Sequence, residues 1–461
     1  MLAAWQTTLR EHGAEPAIFN TQGTVLQTFR QVDEQAADFA AKIDFLQPGE
    51  VIAIQIGNHP DWPSILLACL QRHLVVLPLD QSISQHECQA ALNICRGAAL
   101  IQSGIATGED YTVTPLRPLG PGYEWAGPPP TLLKLTSGTT AAPRAIRFRS
   151  EQLIADCNQI CRTMGITRAD LNFGVIPISH SYGFSNLLTP LIVRAVPLVV
   201  SSDRVPRAVL TDLNRTNATV FPGMPVFYQA FCEINDIPLP QRLRLCISAG
   251  APLAAATAIQ FREKFRLSIH SFYGASECGG ICYDRGAESS EDGFVGEPLD
   301  GVELELVEPE AKSTQVRVRS RAVADTYFPE AVEGKLGAGV FVPDDLLTPS
   351  GGGYRIVGRI SDVINVAGKK VNPAEVEAEL LGLPGIKQAI VFGRKSRIRN
   401  EEVAACVVTS SAVSEPDILK ACRSRLSGWQ VPKRIFIVEE MPVNERGKIS
   451  RRELAVRFAD L

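Results

Sequence analysis

The sequence predicts an α/β body followed by a small α+β unit. Three observations carry this. Short apolar runs alternate with longer amphipathic stretches over the first 350 residues. The composition, 45% hydrophobic and 21% charged over 461 residues, is that of an ordinary globular chain with more than one domain-sized unit. Beyond Gly351-Gly352-Gly353 the charge balance changes: residues 359–461 hold 18 Lys+Arg against 13 Asp+Glu, a net +5 that leaves −9 for the rest.

Residues 51–56 (VIAIQI) read as a buried strand. Asn58 to His73 reads as a helix with Ile65, Leu66, Cys69 and Leu70 on one side, and 74–79 (LVVLPL) as a second strand. Strand, helix, strand at this spacing makes a parallel βαβ unit. Apolar runs at 173–178, 196–200, 219–221 and 244–247 repeat the pattern. Residues 110–130, rich in Pro and Gly, read as an irregular connection.

In the last hundred residues Asn372-Pro373-Ala374-Glu375 reads as a helix start. Asn caps, Pro suits the first helical position, and Glu375 can reach back to the cap amide. Val376 and Leu380 share a face and Gly382 ends the helix. Strands are expected at 388–392 and 403–409, a helix at Glu415–Leu426 capped by Ser414, and a strand at 435–438.

The net charge of −4 gives no global electrostatic reason to bind nucleic acid or an anionic membrane. The apolar neighbourhood Leu187–Val200 is interrupted by Pro190, Arg194 and Pro197, so no membrane span is expected. The first residues lack a basic region ahead of an apolar one; no signal peptide and a cytoplasmic location are expected. Eleven scattered cysteines without a Cys-x-x-Cys pair read as reduced core thiols rather than a zinc site.

Four segments carry chemistry. In Thr136-Ser137-Gly138-Thr139-Thr140-Ala141-Ala142-Pro143-Arg144 an apolar strand runs into small and hydroxylated residues. These let backbone amides approach an anion, and Arg144 adds a cation for polyphosphate. It is not a P-loop: Gly334-Lys335, Gly368-Lys369 and Gly447-Lys448 are the Gly-Lys pairs, and none precedes Ser or Thr. Tyr273-Gly274-Ala275-Ser276-Glu277 joins a ring, a hydroxyl and a carboxylate, a set suited to a base, a phosphate and Mg²⁺. Gly358-Arg359-Ile360-Ser361-Asp362 and the turn around Lys448 are the other two. Alone, the first reads equally as a polar surface loop, the second as a core ring beside a surface Glu, and Lys448 as a solvated charge in a turn.

Together, in this order, they resemble the adenylate-forming superfamily, in its acyl-CoA synthetase or AMP-dependent ligase branch, from about residue 30 to about 455. Phe341-Val-Pro-Asp344-Asp345-Leu346, Pro177-Ile-Ser-His180-Ser-Tyr182-Gly183 and Ser248-Ala249-Gly250-Ala251-Pro252-Leu253 also match. The resemblance implies a large N-terminal α/β adenylation domain at 1–358, binding ATP and the acyl substrate. A small mobile C-terminal α+β lid at 359–461 carries the catalytic lysine.

It further implies that Thr136, Ser137, Gly138, Thr139 and Thr140, with Arg144, wrap the β- and γ-phosphates of ATP. Gly250, Ala251 and Pro252 line the adenine, Tyr273 and Gly274 belong to the same nucleotide site, and Tyr273 stacks on the base. Ser276 touches the α-phosphate and Glu277 binds Mg²⁺. Asp345, supported by Arg359, takes the ribose hydroxyls. Lys448 contacts the carboxylate and the α-phosphate, and His180 sits beside the carboxylate. Tyr182, Phe184, Met224, Phe227 and Gly279 are candidates for the acyl pocket.

The implied reaction activates a fatty or aryl acid to an acyl-adenylate and transfers it to a thiol, coenzyme A first. Like charges must be screened when a carboxylate meets an anionic phosphorus, which suits Mg²⁺ and Lys448. The lid rotates between the two steps about the residue two after Arg359. The His180 segment lacks the acid that pairs with a substrate ammonium in the amino-acid branch. Arg394, Lys395, Arg397 and Arg399, with Lys369 and Lys370, suit coenzyme A phosphates or an acidic acyl carrier protein. An acyl-carrier-protein ligase and a non-catalytic nucleotide-binding homologue are the alternatives. Arg144 for lysine, Ala141 and Asp344 for glycine, and Ser361 for the hinge acid or lysine depart from the family pattern.

Overall fold

The computed structural model describes residues 1–103, 111–116, 125, 127–136, 144–238, 240–287, 291–311, 313–332, 334–366, 369–396, 400–410, 413–442 and 451–459. The chain divides into two compact units. The first holds Met1–Glu305, Arg317–Pro343 and Pro349–Arg355; the second holds Leu306–Val316, Asp344–Thr348 and Ile356–Leu461. The second unit is therefore discontinuous. Its main segment begins three residues before the boundary expected at 358/359.

Two sheets with parallel centres organise the first unit. In one, the strands Val51–Gln55, Val75–Pro78 and Gly97–Ser103 run parallel, and Val75–Pro78 pairs in parallel with Leu132–Leu135. Ala145–Phe148 and Thr326–Phe328 extend it in antiparallel fashion. The βαβ unit is thus present, with Trp62–Gln71 as its helix. That helix starts four residues later than the apolar pattern suggests. Pro63 sits in its first turn, and Asn58 is engaged elsewhere by its side chain.

In the other sheet Pro16–Phe19, Leu198–Val200, Asn172–Gly174, Val220–Gly223, Leu245–Ser248 and Ile269–Ala275 run parallel in that spatial order. Gly279–Tyr283 and Phe294–Pro298 then add antiparallel strands. The central strands are buried on both faces, as parallel sheets covered by helices must be. Phe221 sits at the centre of an aromatic cluster, 5.5 Å from Tyr228, 5.6 Å from Phe231 and 6.1 Å from both Phe173 and Phe227.

The connection expected to be irregular at 110–130 contains a strand, Tyr111–Pro115, antiparallel to Gly97–Ser103. Its Thr112-Val113-Thr114 core is β-branched, which suits a pleated edge better than a loop. The glycines Gly351 and Gly352 form a turn at φ +54° and +85° between Ser350 and Gly353. All eleven cysteines are free and buried. Among the described residues no helix is long and apolar enough to cross a membrane.

In the second unit Ile386–Ser396 and Asn400–Thr409 form a long antiparallel pair, and Arg434–Val438 lies parallel to the latter. The helix Pro373–Leu381 begins where Asn372 accepts the Ala374 amide at 3.2 Å, and Gly382 ends it. The Glu375 carboxylate, expected to return to the cap amide, takes the Gln430 amide at 3.3 Å. Ser414 caps Glu415–Arg425 through the Asp417 amide. Val376, Leu380, Ile418 and Cys422 close a separate core against the sheet.

Phe221→Ala removes a fully buried ring with aromatic neighbours on several sides. The expected cost is about 3–5 kcal/mol, read as a lower urea midpoint for the first unit with an unchanged slope.

Candidate active site

Parallel strands all present their C-terminal ends on one side of a sheet, where loops reach a ligand. The candidate residues of the first unit follow those ends. Asp80 lies just after Val75–Pro78, and Thr136 just after Leu132–Leu135. His180 follows Asn172–Gly174, Met224 follows Val220–Gly223, Gly250 follows Leu245–Ser248, and Ser276 follows Ile269–Ala275.

One carboxamide holds the two sheets together near these ends. Asn58, past the end of Val51–Gln55, donates from Nδ2 to the carbonyls of Gly174 and Ser201 at 3.0 Å and of Ile176 at 3.1 Å. Its Oδ1 accepts the Ile178 amide at 2.9 Å. Nothing in the local pattern marks this asparagine, because all its partners lie more than 110 residues away.

Thr136 donates its amide to the Arg144 carbonyl at 2.8 Å, and its hydroxyl to the same oxygen at 3.2 Å. That pair joins the two described ends of the segment expected to hold phosphates. Ser137, Gly138, Thr139, Thr140 and Ala141 lie outside the described residues, as do Arg397, Arg399 and Lys448. Gly250, at φ +85°, Ala251 and Pro252 are exposed. Tyr273 is buried in its strand opposite Cys282, and Gly274 beside it is exposed. Glu277 Oε1 accepts the Tyr327 hydroxyl at 3.0 Å, and the Glu277 carbonyl accepts the Ala324 amide at 2.9 Å.

The His180 segment meets the Ser276 segment directly. Ser181 Oγ donates to Ser276 Oγ at 3.0 Å. The His180 side chain is 59% exposed, so it is not a core histidine. Its Nε2 lies 2.8 Å from Asp80 Oδ2. The sequence shows no acid in this segment, yet the fold brings one from 100 residues away. The His180 hydrogen bond holds the Asp80 carboxyl well below the usual carboxylate range, against burial, with help from Ser82.

Of the acyl-pocket candidates, Phe184 and Phe227 are buried in the core, whereas Met224 is partly exposed. Burial pushes the Tyr182 phenol up, and its hydroxyl donates to the carbonyls of Ile247 at 3.2 Å and Gly223 at 3.3 Å. Gly279 sits at φ +71°, where an added Cβ would lie 2.1 Å from Asp156 Oδ1.

Within the second unit Arg359 Nε donates to Asp345 Oδ1 at 2.7 Å, joining two candidate residues. Arg451, three residues past Lys448, binds Asp362 at 2.8 Å, both oxygens of Glu377 at 2.9 and 3.0 Å, and the Val391 carbonyl at 3.0 Å. It ties the segment after the lysine to the one after Arg359. Its position in a run of arginines, Arg451-Arg452, hid that role in the sequence.

Fold and site define an α/β enzyme in which an imidazole, a carboxylate and hydroxyls meet at the C-terminal ends of parallel strands. The chain belongs to the family of AMP-binding enzymes: that family's model matches residues 5–120 and 126–328, and the model of the AMP-binding enzyme C-terminal domain matches 375–448. A feruloyl-CoA synthase of Amycolatopsis is 26% identical, covering 95% of this chain and 94% of its own. The oxalate–CoA ligase of Arabidopsis thaliana is 26% identical over 93% and 92%. A 3,4-dihydroxybenzoate–[aryl-carrier protein] ligase of Bacillus anthracis is 27% identical over 79% and 82%. Among solved structures, ATP-bound MatB from Rhodopseudomonas palustris shares the fold with a TM-score of 0.84 at 21% identity, covering 99% of each chain. The chain is thus an enzyme of the AMP-forming acid–thiol ligase class.

Because the folded state depresses the Asp80 pKa, its contribution is full above the unfolded value of about 3.9 and is lost as pH falls through the folded one. His180→Ala removes the main cause. The variant is expected to be about 1 kcal/mol less stable at pH 7, after allowance for the exposed imidazole, and to show a shallower loss of stability below about pH 5. Urea titrations from pH 3 to 7 check this.

Proposed function

We propose that this enzyme uses ATP to convert a fatty or aryl acid to its acyl-adenylate, releasing pyrophosphate, and then transfers the acyl group to the thiol of coenzyme A. The observation that carries the reading is the Ser181–Ser276 hydrogen bond of 3.0 Å. It sets the imidazole segment against the segment that holds Glu277. An acid at His180 then lies next to an α-phosphate held at Ser276, the proximity that an in-line attack needs.

The chain's own residues divide the work. Asp80 occupies Nε2 of His180, so the ring turns its Nδ1 edge to the acid. Thr136 and Arg144 hold the neck of the phosphate loop. Asp345, braced by Arg359, takes the ribose hydroxyls. Lys448 supplies the charge that offsets carboxylate and phosphate. Glu277 is a hard oxygen donor beside hydroxyls, a set that fits Mg²⁺ completed by nucleotide phosphates and water. When bound, Mg²⁺ neutralises phosphate charge. A cytoplasmic site of action agrees with coenzyme A as acceptor.

The direct experiment measures pyrophosphate release with ATP, Mg²⁺ and a panel of fatty and aryl acids. Parallel reactions contain coenzyme A or a phosphopantetheinylated carrier protein, and mass spectrometry reads the products. An acyl-CoA product supports the proposal; a product on the carrier protein alone replaces coenzyme A as acceptor. ATP binding without release for any acid overturns the reading. In the same assay Lys448→Ala is expected to lower acid-dependent release by about 10²–10³-fold while leaving ATP affinity within about twofold. Unchanged turnover removes that lysine from the mechanism.

A further inference from the structure

Glu277 follows a strand of one sheet but is held by a strand of the other, and the mechanism above makes no use of this. It lies between Ile269–Ala275 and Gly279–Tyr283. The Ala324 amide donates to its carbonyl at 2.9 Å. The Tyr327 hydroxyl, 50 positions along the chain, donates to its Oε1 at 3.0 Å. Main chain and side chain of Glu277 are thus both bonded to one short segment.

That segment is itself anchored to the strand beside the expected phosphate site. Thr326–Phe328 pairs antiparallel with Ala145–Phe148, with Tyr327 opposite Ile146. Ala145–Phe148 begins directly after Arg144, whose carbonyl accepts the Thr136 amide. The Asp325 amide donates to the Arg147 carbonyl at 3.0 Å. Asp325 Oδ1 accepts Arg149 Nε at 3.1 Å and Gln152 Nε2 at 2.8 Å, where the helix Ser150–Met164 begins. The segment expected to hold phosphates and the carboxylate expected to hold Mg²⁺ therefore share one mounting.

Packing alone does not ask for this hydroxyl. The Tyr327 ring is 6% exposed and belongs to the core that Ile146 and Phe148 also line. A phenylalanine would fill the same space. The oxygen instead reaches a partly buried carboxylate. A phenol is a neutral donor: it fixes the direction of a carboxylate without cancelling the charge that a cation needs.

We propose that Tyr327 is a positioning residue for adenylation. Its hydroxyl sets the Glu277 carboxylate relative to the strand that leaves the phosphate segment, acting through Glu277 without touching substrate or metal. The proposal rests on the function assigned above.

The test compares Tyr327→Phe, Glu277→Ala and the double variant with the parent, in the full chain. Urea midpoints are measured on each. ATP affinity is measured by calorimetry with and without Mg²⁺, and pyrophosphate release is followed as Mg²⁺ is raised. Tyr327→Phe deletes one oxygen, the ring stays, and water can reach the partly buried carboxylate. Its midpoint is therefore expected close to the parent's. The strengthening of ATP binding by Mg²⁺ is expected to fall about tenfold in this variant, with ATP affinity in the absence of Mg²⁺ within about twofold of the parent's. The Mg²⁺ concentration for half-maximal release is expected to rise by about the same factor of ten. In the double variant Tyr327→Phe is expected to add no loss to that of Glu277→Ala.

A merely structural role lowers the midpoint, and lowers ATP affinity alike with and without Mg²⁺; that result overturns the proposal. A Mg²⁺ dependence equal to the parent's does the same. An equal further loss on top of Glu277→Ala shows that the hydroxyl acts elsewhere and also overturns it. The binding readouts need no turnover, so they stand even if none of the acids tested is activated. A parent that binds no ATP, or binds it no tighter with Mg²⁺, faults the assigned function itself and takes this inference with it.

Discussion

The structure depends on keeping the C-terminal ends of two parallel sheets in register with each other. Parallel strands concentrate their functional loops at one edge, but one sheet supplies only part of a site that must hold both a nucleotide and an acid. Asn58 meets this constraint with a single carboxamide. Three carbonyls and one amide, spread over Gly174, Ile176, Ile178 and Ser201, converge on its two polar atoms. A side chain saturated with four hydrogen bonds has one orientation. The loop that leads to His180 is therefore fixed relative to the strand end that leads to it from the other sheet.

Polar contacts of the same kind recur around the site at increasing depth. Nearest the solvent, Asp80 orients His180, and Ser181 meets Ser276. Beneath them, Asp156, buried in the helix Ser150–Met164, accepts the Gly280 amide. Hydrogen bonds to charged groups are stronger than neutral ones, and in a water-poor interior their loss is costly. Hydrophobic packing stabilises the body: Phe221 and its neighbours would serve any α/β enzyme. The polar contacts instead set where particular loops stand. In the second unit Arg451 plays the same part, holding the segment after Lys448 to Asp362 and Glu377.

Much of this architecture was legible in the sequence where information is local. The apolar runs at 51–56 and 74–79 contain the strands Val51–Gln55 and Val75–Pro78 with a helix between them, because apolar runs and a 3.6-residue period are short-range signals. Ser414 and Asn372 cap helices as their side-chain chemistry predicts. Small and hydroxylated residues after a strand, and an aromatic–glycine–hydroxyl–carboxylate run, are equally local signals and fall within the stretch that the AMP-binding family model matches. The helix is shorter than the apolar pattern from Asn58 predicts, and Tyr111–Pro115 is a strand where the composition predicts an irregular connection. The apolar period says nothing of the distant carbonyls that engage Asn58, and the prolines and glycines of 110–130 say nothing of the neighbouring strand that pairs with Tyr111–Pro115.

The sequence by itself determined the α/β class, the helix caps and the likeness to AMP-binding enzymes, since each is carried by short runs of consecutive residues. Tertiary structure alone decided which charges stand together. Asp80 reaches His180 across 100 residues, Gly280 reaches Asp156 across 124, and Arg451 reaches Asp362 across 89. Each such contact is a meeting of two side chains or a side chain and an amide. Its energy depends on distance and burial, and neither exists until the chain has folded.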